Sequence, residues 1–305
     1  MRFAKRWFAA AALMLCTGLA APHAGTAQPA QNVPSALLIF PYVNTDNGTD
    51  TRIELLNLSG EAQELQCFWV YGDTCSEIGF FLNLTPYQPV SFLAAGGFFG
   101  GGSAVPGFFG VGELKCAVVA NSPDAESHNA IQGRAIVYRT SGETMSYTAV
   151  GFRRLSDGAY TGIVNLNGSQ YAACPNRLHF QMLTDNDLPS EMILVPCDQD
   201  LILQIPTELN IQFLVTNEFE QTFSASTGMR CTGRFTLTDI NPILTEAALG
   251  TATAHISLRG VQGPLLGVGI DAVNLLGVPG TAGNEPSFEG NRSATVKFPS
   301  GVPED

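Results

Sequence analysis

Positive charge is scarce in this chain. Its 305 residues include 15 Lys and Arg against 27 Asp and Glu. Residues 1–27 hold three of the basic residues, Arg2, Lys5 and Arg6, and no acidic one, so from Gln28 onward 12 basic face 27 acidic, a net charge of −15 (12 − 27). Such a balance excludes nucleic acid as the expected partner, because phosphate binding needs a basic surface, and it disfavours an anionic membrane surface on the same ground. Histidine is equally sparse: beyond residue 27 only His128, His179 and His255 remain. No Gly-x-Ser-x-Gly elbow and no Cys-x-x-Cys occurs, which removes the usual serine-hydrolase and zinc frameworks. Outside the N-terminus no sustained 3.6-residue periodicity exceeds about ten residues, so helical fold classes drop out. PILTEAAL, from Pro242 to Leu249, suits one short helix.

What is present begins with a secretory signal. Arg2, Lys5 and Arg6 precede an apolar run from Trp7 to Ala21, and small residues follow at Gly25-Thr26-Ala27. The expectation is a signal peptide over 1–27, cleaved on export, leaving no transmembrane anchor in the mature chain. Six cysteines then remain, Cys67, Cys75, Cys116, Cys174, Cys197 and Cys231. In an oxidising compartment they read as three disulfides with 15 possible connectivities. Cys67 with Cys75 would clip a hairpin, Cys67 with Cys116 would link distant strands as in immunoglobulin-like sandwiches, and Cys174 with Cys197 is a local pair in the second half.

Strand signals fill the rest. Ala36 to Phe40 is an apolar run stopped by Pro41, and NTDNGTD (44–50) is dense in turn formers. Thr51 to Leu58 and Gln63 to Val70 read as a hairpin across Ser59-Gly60-Glu61-Ala62. A partial second copy opens at Ser190: Pro34-Ser35 to Pro41 matches Pro189-Ser190 to Pro196, and Ile53, Leu55, Gln63 and Leu65 align with Ile211, Phe213, Gln221 and Phe223. Leu209, Ile211, Phe213 and Val215 alternate with Asn210 and Gln212, the mark of a strand with one face in a core. Turn signals every 8 to 12 residues or so are a sandwich signature. The sequence therefore predicts an all-β chain of two tandem immunoglobulin-like antiparallel β-sandwich domains, 28–165 and 166–282, and a flexible tail over 283–305 rich in Gly, Pro and Ser.

Two stretches are candidate sites. AAGGFFGGGSAVPGFFGVG (94–112) loses strand propensity to its glycines. Phe98, Phe99, Phe108 and Phe109 either tuck back onto a sheet or form an apolar contact loop. Asp46, Asn47 and Asp50 cluster oxygen donors in a loop and are the calcium candidates, although turn chemistry explains them equally and the EF-hand pattern is absent. Glu218 and Glu220 lie two apart and would share one side of a strand, the solvent side. No catalytic residue and no other cofactor is indicated.

The phrases LLIFPYV, ELQCFW, LVPCDQDL and IQFLVTNEFEQTFSAS resemble ones that recur in secreted bacterial proteins with immunoglobulin-like β-sandwich domains. That resemblance implies the same build and carries over no functional residue. The expected role is an exported, non-catalytic binding or scaffolding protein of the bacterial cell envelope or surface, its partner an envelope protein or polysaccharide. The alternatives are a secreted hydrolase with an inter-domain acidic cleft and a calcium- or small-ligand-binding module.

Overall fold

The computed structural model describes residues 28–98, 105–119, 124–185, 188, 190–275 and 278–299. The expected signal peptide and Phe99 lie outside them. In chain order the strands are β1 (Leu37–Asn44), β2 (Thr49–Asn57), β3 (Gln63–Tyr71), β4 (Glu77–Leu84), β5 (Pro89–Leu93), β6 (Gly97–Phe98), β7 (Val111–Val118), β8 (Ile131–Arg139), β9 (Thr144–Thr148), β10 (Val150–Phe152) and β11 (Ile163–Leu166). They continue as β12 (Arg177–Leu183), β13 (Ser190–Pro196), β14 (Gln199–Asp200), β15 (Glu208–Asn217), β16 (Thr222–Arg230), β17 (Gly233–Phe235), β18 (Thr253–Gly260), β19 (Leu265–Leu275), β20 (Val278–Asn284), β21 (Ser287–Glu289) and β22 (Ala294–Lys297). Among the described residues three single-turn helices, α1 (Ala125–His128), α2 (Leu237–Ile240) and α3 (Glu246–Leu249), sit between strands, and α3 falls in the PILTEAAL segment.

The all-β class stands, but the two tandem immunoglobulin-like sandwiches do not. The strands form five sheets in a five-blade, β-propeller-type arrangement. Sheet I runs β10-β1-β7-β3-β4, sheet II β6-β5-β2-β8-β9, sheet III β11-β22-β14, sheet IV β17-β13-β19-β20 and sheet V β16-β15-β18-β12-β21. These blades are not sequential meanders, since strands far apart in the chain are neighbours within them.

Burial shows why two separate sandwiches fail. Sheet I is covered on both faces. Its Leu38, Phe40, Trp69 and Leu114 meet sheet II in one core, whereas its Leu37, Ile39, Phe68 and Val70 meet Val164, Val296 and Phe298 of the sheet III region in another. Ile193, Val268 and Ile270, from the second half, complete the first core, and Val195 and Leu266 enter the second. A third core joins sheets IV and V. The expected boundary near residue 165 therefore crosses shared cores.

The strand β1 shows how sequence makes this placement. All eight residues of LLIFPYVN are buried, as a strand covered on both faces requires. The run does not stop at Pro41; its pairing with β7 shifts register between Phe40 and Val43, a bulge that accommodates a residue with no amide hydrogen. The hairpin expected between 51–58 and 63–70 is also corrected. The second strand, β2, pairs with β5 and β8, while β3 crosses to sheet I and pairs with β4 and β7. In the second copy the equivalent pair, β15 and β16, is a true hairpin.

All six cysteines among the described residues are bonded, as Cys67–Cys116, Cys75–Cys231 and Cys174–Cys197. Cys67 and Cys116 are direct partners on adjacent strands of one sheet, with Cα atoms 4.1 Å apart. The immunoglobulin disulfide bridges two sheets instead, so this bond argues against that fold. Cys75–Cys231 ties the first half to the second. The flexible tail is corrected as well: 287–289 and 294–297 are strands, Phe298 is buried and packs 5.3 Å from Phe68, and Gln66 Nε2 donates to the Pro299 carbonyl at 2.8 Å.

Candidate functional site on the outer face of sheet V

Sheet V is covered on one side only. Leu209, Ile211, Phe213 and Val215 of β15, Leu178, Phe180 and Met182 of β12, and Ala254, Ile256 and Leu258 of β18 all enter the third core. Period-2 alternation sends the intervening residues to the opposite face. Register then assembles them into rows. Arg177 pairs with Glu289, and Arg259 pairs with Gln212, which in turn faces Ser226. The next row holds Ser287, His179, Ser257, Leu214 and Ser224, and the one beyond it Gln181, His255, Thr216 and Thr222.

An open groove of about 500 Å³ follows the first two rows, with Arg177, Gln212, Ser224, Ser226, Ser257 and Arg259 along it. Arg259 Nε donates to Gln212 Oε1 at 2.9 Å, which orients the guanidinium across the strands. Beside it, Arg292 donates to the carbonyls of Gly260 and Val261 at 2.7 and 2.9 Å. Among the described residues none of Arg177, Arg259 and Arg292 is in an ion pair. Unpaired guanidiniums flanked by hydroxyls and a carboxamide can take a carboxylate or phosphate in bidentate fashion.

At one side of the groove, His179 and His255 stack with ring centroids 5.3 Å apart and planes 7° apart. His179 Nδ1 and His255 Nε2 are 3.2 Å apart, and His179 Nε2 meets Glu289 Oε2 at 2.7 Å. Partial burial, and then the neighbouring His179, hold His255 below the usual histidine range. Both histidines stand in otherwise apolar stretches of sequence, where no motif marks them. Alternation was the missed signal: His179 lies between Leu178 and Phe180, and His255 between Ala254 and Ile256, so both belong to the polar face.

A second groove, about 690 Å³, lies on the outer face of sheet II. Both its arginines are already paired, since Glu54 meets Arg52 at 3.1 Å and Arg134 at 2.6 Å, while Glu285 accepts from the Thr148 amide at 2.7 Å.

The sequence-derived sites are dispersed. Asp46, Asn47 and Asp50 build the β1–β2 turn: Asn47 has φ 53°, the Asp46 carbonyl accepts from Thr49, and Asp50 Oδ1 accepts from the amides of Thr51 and Ala95 at 2.7 and 3.2 Å. Among the described residues no group of three or more His, Cys, Asp or Glu is placed to hold a metal ion. The apolar loop splits. Phe108 is buried against Trp69 and Tyr71, at 5.4 and 4.8 Å, so it belongs to the core and not to a contact surface, whereas Phe109 is 68% exposed. The backbone of Phe98 pairs with Phe92 in sheet II. Glu218 accepts from the amide and hydroxyl of Thr253 at 3.2 and 2.9 Å, and Glu220 has φ 63° in the turn after β15, so both serve the β15–β16 connection. Among the described residues no helix is long and apolar enough to cross a membrane.

No family model and no curated protein matches the chain. Among solved structures it is similar to the crystal structure of the PBSX exported protein XepA, at 10% identity over 87% of each chain with a TM-score of 0.16, a likeness too slight to carry fold or role across.

Proposed function

We propose that the chain is an exported, non-catalytic binding protein of the bacterial cell envelope, and that it takes an acidic polysaccharide across the outer face of sheet V. One observation carries this reading: in a strongly acidic chain, unpaired Arg177 and Arg259 stand together over an open groove fringed with serine hydroxyls. A long, shallow, polar groove suits an extended chain of hydroxylated units with regularly spaced carboxylates. Export is supported by the basic-then-apolar N-terminus and by three disulfides, which persist in oxidising compartments.

Calorimetric titration of the disulfide-bonded protein with polygalacturonate, alginate and neutral dextran of matched length tests it. Binding of an acidic chain that weakens with added salt, with dextran inert, is expected. Each lost charged hydrogen bond costs roughly 1.5 kcal/mol or more, so Arg177→Ala with Arg259→Ala should weaken binding by roughly a hundredfold without changing the melting temperature. Equal binding by the double variant, or capture of an envelope protein with no affinity for either acidic chain, overturns the reading. Cleavage of the polysaccharide would favour the hydrolase alternative instead.

A further inference from the structure

Sheet V ends on one side at β16, which pairs with β15 alone. Bonds at the two ends of β16 show which of its backbone groups face outward. The Asn217 amide donates to the Gln221 carbonyl and the Cys231 amide to the Thr207 carbonyl, so 221 and 231 sit in hydrogen-bonded pairs of the antiparallel ladder. Hydrogen-bonded and non-hydrogen-bonded pairs alternate. Phe223, Ala225, Thr227 and Met229 therefore turn their amides and carbonyls to β15, while Thr222, Ser224, Ser226 and Gly228 turn theirs away from the sheet. Among the described residues nothing bonds to those outward groups.

Proteins ordinarily blunt such an edge with charge, proline, a bulge or shortness. All nine residues of β16 stay in unbroken register with β15, and from Thr222 to Met229 there is neither charge nor proline. The other edges are managed. β6, β10, β11, β14, β17 and β21 have four residues or fewer. β9 and β20 lie against each other, with Glu285 accepting from the Thr148 amide at 2.7 Å. β4 starts with a carboxylate, Glu77, and holds no cation that could answer it in a second copy.

We propose that β16 is the contact between two copies of this chain, joined antiparallel about a two-fold axis at Ala225 so that their sheets V become one continuous sheet. A two-fold axis between identical antiparallel strands makes one position face itself. With that position at 225, 222 faces 228 and 224 faces 226, so every outward amide and carbonyl from Thr222 to Gly228 meets one on the other copy. The same register sets Arg230 opposite the partner's Glu220, once at each end of the seam. Neither residue is in an ion pair among the described residues, although Glu208 faces Arg230 across the ladder. Two strongly acidic chains repel one another, and this edge gives each an uncharged strand with a cation at one end and an anion at the other. Pairing also extends the outer face: the row Arg177, Arg259, Gln212, Ser226 runs on into the partner's Ser224. An acidic polymer would then find one groove across both copies, a consequence that rests on the proposed function, whereas the pairing does not.

Sedimentation equilibrium of the disulfide-bonded protein, with no polysaccharide present, tests the pairing. The expected mass rises with concentration from one chain to two and goes no further. Gly228→Pro removes an amide hydrogen that faces the open edge and not β15, so the variant should keep the wild-type circular dichroism spectrum and sediment as one chain. Glu220→Arg sets like charges together at both ends of the seam and should weaken the dimer by roughly tenfold or more. Adding Arg230→Glu to it should recover most of that loss. A single-chain mass at every concentration, open-ended polymers, or a dimer that survives Gly228→Pro overturns the proposal, and failure of the charge exchange to restore association overturns the register at Ala225. A single-chain mass would leave the groove of sheet V as proposed, and absence of polysaccharide binding would leave the dimer, so the two readings fail separately.

Discussion

Removal of the Cys75–Cys231 bond should destabilise the whole molecule rather than one part of it. Both residues are buried, so Cys75→Ala with Cys231→Ala introduces no exposed thiol and little new polar surface. The bond spans 156 residues of chain. The other two disulfides shorten the circuit it closes, because the path can run from 75 back to 67, cross to 116, continue to 174, cross to 197 and so reach 231. That circuit holds about 100 residues, for which loss of unfolded-state entropy predicts a contribution of about 4.7 kcal/mol, with measured values for disulfides more often 2–4. At about 1.7 °C per kcal/mol for a chain of this size, from the unfolding entropy per residue, the double variant should melt roughly 5 °C lower in differential scanning calorimetry, still in one transition. The single transition is the structural content of the prediction, since Ile193, Val268 and Ile270 of the second half complete the first core. Two transitions at wild-type temperatures would refute it: independent tandem domains are already joined by the chain, and a bond between them does not stabilise either one.

Two further outcomes follow from burial and charge. Phe108→Ala should cost roughly 3–5 kcal/mol in urea denaturation because its ring is enclosed by Trp69 and Tyr71, whereas Phe109→Ala, at the exposed position next to it, should stay within about 0.5 kcal/mol; equal effects would contradict the split of the loop. Because His255 is held below its usual value of 6.5, the unfolded chain binds its proton at higher pH than the folded one. This contribution is fully present above about 6.5 and is lost as pH falls through the folded value, so His255→Gln should flatten the decline of melting temperature in that window; an unchanged slope would count against it.

Strand content was legible in the sequence, and partnership between sheets was not. Alternation in 209–215 marks a strand with one covered face, and the structure covers that face with the third core. Burial in β1 matches its apolar run as far as Phe40 and then continues through Pro41 to Asn44, past the expected stop. Partnership failed at Gln63 to Val70, where a short connection suggested a hairpin; with Leu65, Cys67 and Trp69 on one face and Phe68 and Val70 on the other, both faces are apolar. A strand of that kind is stabilised by two cores, and a local turn cannot compete with that burial. Cys75–Cys231 was hidden for the same reason, since the pairing depends on where the second half packs. The loop 94–112 illustrates the limit at single-residue scale: Phe108 and Phe109 are chemically identical neighbours, and only the proximity of Trp69 separates core from surface.

The site on sheet V was invisible as a motif because it is a consequence of register. Arg177, Gln212, Ser226 and Arg259 come from four strands, and no spacing in the chain relates them. What makes the cluster meaningful is the fate of the other cations. Arg52 and Arg134 are bound to Glu54, Arg139 to Glu143, Arg153 to Glu126, Arg234 to Glu191, Lys297 to Asp200 and Lys115 to Glu113, while Arg154 is buried and donates to the carbonyls of Ser156 and Gly158. Among the described residues that leaves Arg177 and Arg259 along the groove of sheet V, Arg292 bonded to the end of β18, and Arg230, at the far end of β16, in a separate depression that Asp46 and Asp73 also line. Exposed ion pairs contribute little to stability, so leaving these cations unpaired costs the fold little. Arg177 and Arg259, unpaired along one open groove, are the cations free to meet the proposed anion, since a guanidinium already held by a carboxylate must break that contact before it can make another.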